Sequence, residues 1–174
     1  VLMEYCLSLS RCGFADIVLI SSHGGNSDTM VAFLPRIAKA LKDTCRVHMV
    51  MPNIRDISSE VKRLYEEYGI SRPQAGVHAG FTETSMMLAL HGEMVDMDRA
   101  EEGRADEAFY RPDRIKLSQI ESFVRGVRHQ SANGVLGDPR LARAEAGRRL
   151  LEVRLKELAD EVQRMIAVAR EAAE

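Results

Sequence analysis

Cysteine is scarce: Cys6, Cys12 and Cys45 are the only three in 174 residues. An odd count without close metal-type spacing excludes a disulfide framework and a zinc ribbon. Reduced thiols of this kind suit a cytoplasmic chain. Long apolar runs are missing as well. The longest, such as Ile17–Ile20, fall far short of the ~18 residues that suggest a membrane span, so no membrane partner is expected. Neither sign of charge dominates: 24 basic and 26 acidic side chains leave a net charge of −2. That balance provides no electrostatic footprint for nucleic acid or an anionic surface. No repeat or low-complexity tract occurs, and no basic region precedes a hydrophobic stretch as in a secretory signal. What remains is 45% apolar and 29% charged, an ordinary globular balance. The length suits one domain, residues 1–174, with one core. Leu2, Met3, Tyr5, Leu7 and Leu9 read as entry into the middle of a helix, so an N-terminal portion is expected to be missing.

The order of elements follows from hydrophobic spacing. Leu2–Leu9 suits a helix ended by Gly13. Ile17-Val18-Leu19-Ile20 reads as a strand buried on both faces of a parallel sheet. Ser27 or Asp28 is placed to cap a helix bearing Met30, Phe33, Leu34, Ile37 and Leu41, with Pro35 inside it. Arg46–Met51 is the next strand. This is the βαβ grammar of an α/β fold. Ser58–Tyr68 reads as a helix, Gly69–Thr82 as a loop, and Glu83–Leu90 as a helix. Residues 93–113 carry eight acidic and three basic side chains and read as an exposed connection. Phe123–Val127 suggests another strand. Pro139 is placed for the first turn of a long terminal helix, roughly 36 residues or about 50 Å, whose Leu151, Leu155, Leu158, Val162, Met165 and Ala169 form one apolar seam.

Two segments carry chemistry. His23 follows the first strand at the carboxyl edge, where open α/β sheets bind ligands. Gly24 and Gly25 after it permit close backbone approach. A connecting loop with a hydrogen-bonded histidine gives the same pattern. The glycines match neither a dinucleotide fingerprint nor a phosphate-binding Gly-Lys-Ser/Thr loop. His78-Ala79-Gly80-Phe81-Thr82-Glu83 is the second segment. Glu83 there is either an acid interacting with a helix N-terminus or a metal ligand, with His78 a proton-transfer group beside it. His48, in a strand pattern, reads as a satisfied core or edge histidine.

Together these segments resemble a known family. Ser22-His23-Gly24-Gly25-Asn26 resembles the Asn-Gly-His-Gly-Gly-Asn region of the creatininase (creatinine amidohydrolase) family. His78-Ala79-Gly80-Phe81-Thr82-Glu83-Thr84-Ser85 resembles its His-Ala-Gly-x-x-Glu-Thr-Ser helix start. Gly134-Val135-Leu136-Gly137-Asp138-Pro139 is similar to its third signature. The resemblance implies a three-layer α/β fold with a mostly parallel sheet flanked by helices. It also implies a hydrolase with two divalent metals (Zn, Mn or Fe), whose bound hydroxide attacks a C–N amide bond, linear or cyclic. By position, His23 and Glu83 match metal ligands and His78 a proton-transfer histidine. Gly24, Gly25, Asn26 and Asp138 match positions lining the substrate or supporting the ligands.

The departures are equally specific. The family's N-terminal Glu-x-His-Gly signature and its following Asp, which supply three ligands, are absent from this sequence. Gly25 stands where creatininase has a Glu, and no Trp is present to close over creatinine. Phe81-Thr82 is nearer to the Arg-Thr of members linked to mycofactocin maturation. A peptidase-like member acting on a modified peptide is therefore the alternative substrate class. A non-catalytic, truncated or scaffold chain is the rival from another class. The first half of the terminal seam is expected to cover the chain's own sheet and the half past Leu158 to contact another subunit, which agrees with the homo-oligomer, hexameric in creatininase, that the resemblance implies.

Overall fold

The β-branched run near the start of the chain forms one strand of a parallel pair. The computed structural model describes residues 1–50 and 57–171. Helix α1 (Leu2–Arg11) leads to β1 (Asp16–Ile20), α2 (Gly24–Leu41) and β2 (Arg46–Val50). The strands pair in parallel, Asp16 opposite Arg46 and Ile20 opposite Val50. Gly13, at φ +87°, ends α1 in the left-handed region that glycine enters without steric cost. The βαβ order is the one the sequence implies. Met51, expected at the end of the second strand, lies outside the described residues.

The chain divides into two compact units, Val1–Ile57 with Leu155–Glu174, and Ser58–Arg154. In the first, Cys6 from α1, Ile17 and Leu19 from β1, and Ile37 and Leu41 from α2 join Cys45 in one buried cluster. The expectation that β1 is buried on both faces is corrected. Ile17 and Leu19 point into the core, Val18 is half-buried and Ile20 is 46% exposed, the alternation a pleated strand imposes. At the other end of the pair, Arg46 reaches both carboxylate oxygens of Asp16 at 2.7 Å. His48 Nε2 lies 2.8 Å from the same carboxylate, so it is the satisfied strand histidine the pattern implies. These partners hold the Asp16 carboxyl well below the usual carboxylate range, Arg46 contributing most.

The second unit holds α3 (Ser59–Glu67), α4 (Arg72–Ala75), α5 (Phe81–His91) and α6 (Pro112–Arg125). Helix α7 (Ala144–Glu171) begins there and continues into the first unit. Four expectations are corrected. The Gly69–Thr82 loop contains α4, started by a reciprocal capping box between Ser71 and Gln74. Phe123–Val127 is not a strand: α6 runs to Arg125 with Pro at its first turn, and Gly126 at φ +78° ends it. Pro139 opens a short 3-10 turn, Pro139–Leu141, and the long helix starts only at Ala144. Its 28 residues span about 42 Å. The acidic connection is not exposed throughout, because Phe109 and Tyr110 bury against Leu136. Among the described residues, no helix is long and apolar enough to cross a membrane.

Candidate active site

In the first unit, His23 caps α2. Its Nδ1 accepts the N–H of Gly25 at 3.0 Å, and its carbonyl accepts the N–H of Asn26 at 3.0 Å. The buried Ser21 hydroxyl donates to the same carbonyl at 2.8 Å. The helix therefore begins earlier than Ser27 or Asp28 would set it, because an imidazole nitrogen does the work of the usual capping oxygen. Gly24 and Gly25 form the first turn, and residues 23–26 are exposed. An Nδ1 that accepts an N–H carries no proton, which leaves the ring proton on Nε2. A cation at Nε2 therefore needs the ring proton moved, and a cation at Nδ1 must displace the Gly25 amide.

In the second unit, the other two signatures are locked together. Val77 N–H donates to the Leu136 carbonyl at 2.9 Å, and Leu136 N–H donates to the His78 carbonyl at 2.8 Å. Three glycines make this approach possible. A Cβ on Gly137 (φ +147°) would lie 2.7 Å from the Gly80 Cα and 2.8 Å from the Gly76 Cα. The imidazole of His78 is exposed on this ladder. Ala79 takes φ +50°, an uncommon conformation for a residue with a Cβ. Its N–H donates to Glu83 Oε2 at 2.6 Å. Glu83 is exposed in the first turn of α5, so the helix-start reading of this acid is realised in its hydrogen bond.

Asp138 is built differently. Its carboxylate is buried and takes Nε and Nη2 of Arg140 at 2.9 and 2.8 Å, together with the Arg140 N–H at 3.1 Å. Arg140 also reaches Glu102 at 2.6 Å, and Asp138 N–H donates to the Gln74 carbonyl at 3.0 Å. The guanidinium holds the Asp138 carboxyl below the usual range. Asp138 thus ties the third signature to the turn before His78. The sequence reading missed Gln74, Ala79, Glu102 and Arg140. The capping pattern Ser71-x-x-Gln74 was the one available signal for this turn.

His23 to Asn26 belong to the first unit, and His78, Glu83 and Asp138 to the second. Among the described residues, no three His, Cys, Asp or Glu side chains cluster as a metal ion requires. The donors present are suited to a divalent cation by type.

A sequence profile of the creatininase family, described as creatinine amidohydrolase, matches residues 1–162. The chain belongs to the creatininase family. Two curated relatives are named mycofactocin precursor peptide peptidase. The one from Mycolicibacterium smegmatis is 27% identical over 166 residues, covering 94% of this chain and 55% of its own. The one from Mycobacterium ulcerans is 31% identical over 152 residues, covering 86% and 48%. The chain thus spans about half the length of these relatives. Among solved structures, one described as "Creatininase Mn" superposes with a TM-score of 0.66 at 23% identity, covering 93% of this chain and 61% of the other. A creatinine amidohydrolase crystal structure gives 0.65 at 23%, covering 94% and 61%. The creatininase fold and the α/β class are thereby shown. The three segments quoted from the sequence lie within the span that the creatininase profile matches.

Proposed function

We propose that this chain is the part of a creatininase-family hydrolase that carries the proton-transfer histidine and two of the metal donors. The reaction is hydrolysis of a C–N amide bond, linear or cyclic: water adds across the bond, giving a carboxylate and an amine. The observation that carries the reading is the glycine-locked ladder, which fixes the backbone of His78 while leaving its imidazole exposed, five residues before Glu83. An imidazole within reach can pass a proton to the departing nitrogen.

A divalent cation, when bound, supplies an activated water and polarises the carbonyl. We assign His23 to one of two divalent cations and Glu83 to the other, one donor atom each. Manganese has support in the "Creatininase Mn" relative. Gly24, Gly25 and Asn26 shape the His23 turn, and Asp138 holds the ladder. Two relatives named as peptide peptidases favour a peptide amide over creatinine. We further propose a cytoplasmic homo-oligomer assembled through the far half of α7, past Leu158, where Val168 is exposed.

The test is amine release from a panel of peptide and cyclic amides by the protein supplied with manganese or zinc. Metal-dependent release from a peptide amide is expected. No release from any amide at saturating metal would favour the non-catalytic reading.

A further inference from the structure

Arg72 is a cation with an unusual set of neighbours. It opens α4, half-buried, six residues before His78. Its Nη1 donates to the Gly76 carbonyl at 3.1 Å, and its guanidinium carbon lies 5.8 Å from the centre of the Tyr110 ring. Among the described residues it has no carboxylate partner. The charged or titratable groups that bear on it are the phenols of Tyr65 and Tyr110 and the guanidinium of Arg154. A second positive charge is the opposite of what a half-buried cation needs. The remaining N–H donors of the fork make no hydrogen bond among the described residues.

The surroundings tie this group to the candidate site. Gly76, whose carbonyl Arg72 holds, is one of the three glycines that lock the His78 ladder. Tyr110, the ring beneath the guanidinium, donates its hydroxyl to the Arg104 carbonyl at 3.5 Å. The same ring packs with Leu136, the backbone partner of His78. Burial pushes the Tyr110 phenol up to about 12, so the platform is neutral at physiological pH and does not supply the missing negative charge.

We propose that Arg72, stacked on Tyr110 and fixed to Gly76, receives a carboxylate of the substrate and selects acidic over neutral amides. A planar guanidinium with one edge unused matches a planar carboxylate in two parallel hydrogen bonds. The residue is a specificity determinant rather than a participant in bond cleavage, and this assignment of substrate class rests on the hydrolase reading above.

Binding of N-acetylglycine and N-acetylglycinamide, which differ only in the carboxylate, tests it by NMR titration. The parent chain should bind the acid about tenfold or more tightly than the amide, with the Arg72 side-chain Nε–H resonance shifting on titration. Arg72→Gln should abolish the preference, Arg72→Lys should keep part of it, and Arg125→Gln on α6 should leave it intact. If Arg72→Gln does not fold, the Arg72 resonance and Arg72→Lys decide. Equal or undetectable binding of both probes overturns the proposal, as does a preference that survives Arg72→Gln. Displacement by inorganic phosphate at lower concentration than by acetate overturns the choice of carboxylate. Binding is read without turnover, so an acid preference in a chain that hydrolyses nothing would sustain this inference while refuting the hydrolase reading.

Discussion

Glu83 Oε2 accepts the backbone N–H of Ala79 at 2.6 Å, and Ala79 is a non-glycine residue held at φ +50°. One carboxylate thus stabilises a backbone turn of a kind that costs of order 1–3 kcal/mol, and that turn separates His78 from Gly80. The same residue is asked to bind a cation. The two roles separate on substitution. Glu83→Gln keeps an acceptor for the amide, so thermal stability should stay within about 1 kcal/mol of the parent. Bound metal in the full protein should nevertheless fall sharply. Unfolding measured beside metal content checks this, and a large stability loss with metal retained would make Glu83 a structural acid only.

The glycine contacts make a steeper prediction. Gly137→Ala places a methyl 2.7 Å from the Gly80 Cα at a backbone angle of +147°. Strain and overpacking together should cost about 2–5 kcal/mol. Denaturant unfolding followed by circular dichroism reads the loss. Gly92→Ala, at a glycine with open space around it, should change little.

Acid should weaken the second unit through Asp138. Its carboxyl is held below the ordinary range by Arg140, so its contribution is complete above the ordinary carboxylate value of about 3.9. That contribution is lost as pH falls through the depressed folded value. The sign is therefore destabilisation on acidification. Asp138→Asn should lower stability at neutral pH and flatten the acid limb of the thermal midpoint measured from pH 6 to pH 2. An unchanged acid limb would show that the Arg140 pair contributes nothing.

The seam of α7 predicts assembly behaviour. Val162 and Met165 are half-buried, and Leu155 and Val168 on the same helix are 62% and 64% exposed. Val162→Glu with Met165→Glu should shift sedimentation towards smaller species. Unchanged mass and unchanged stability together would show that the seam is neither interface nor core.

These relationships divide by what a sequence can display. β1 and β2 were legible because β-branched runs bounded by turn residues carry their own period, and His48 because it falls inside one of them. The three signature segments were legible by resemblance. The cap on α2 was not, since histidine is outside the usual capping set and Ser27 and Asp28 offered themselves instead. Helix α6 was masked by Phe123-Val124, whose β-propensity yielded to a helix begun at Pro112 and stopped by Gly126. The Asp138–Arg140 pair spans only two residues in a turn, a spacing with no periodic signature.

Comparison of His78→Gln with Glu83→Gln, turnover and bound metal read on the same samples, separates proton transfer from metal binding. His78→Gln should keep its metal and lose about 10²–10⁴-fold in amide hydrolysis, whereas Glu83→Gln should lose metal and activity together. Metal lost from His78→Gln, or full turnover in either variant, would contradict this separation of roles.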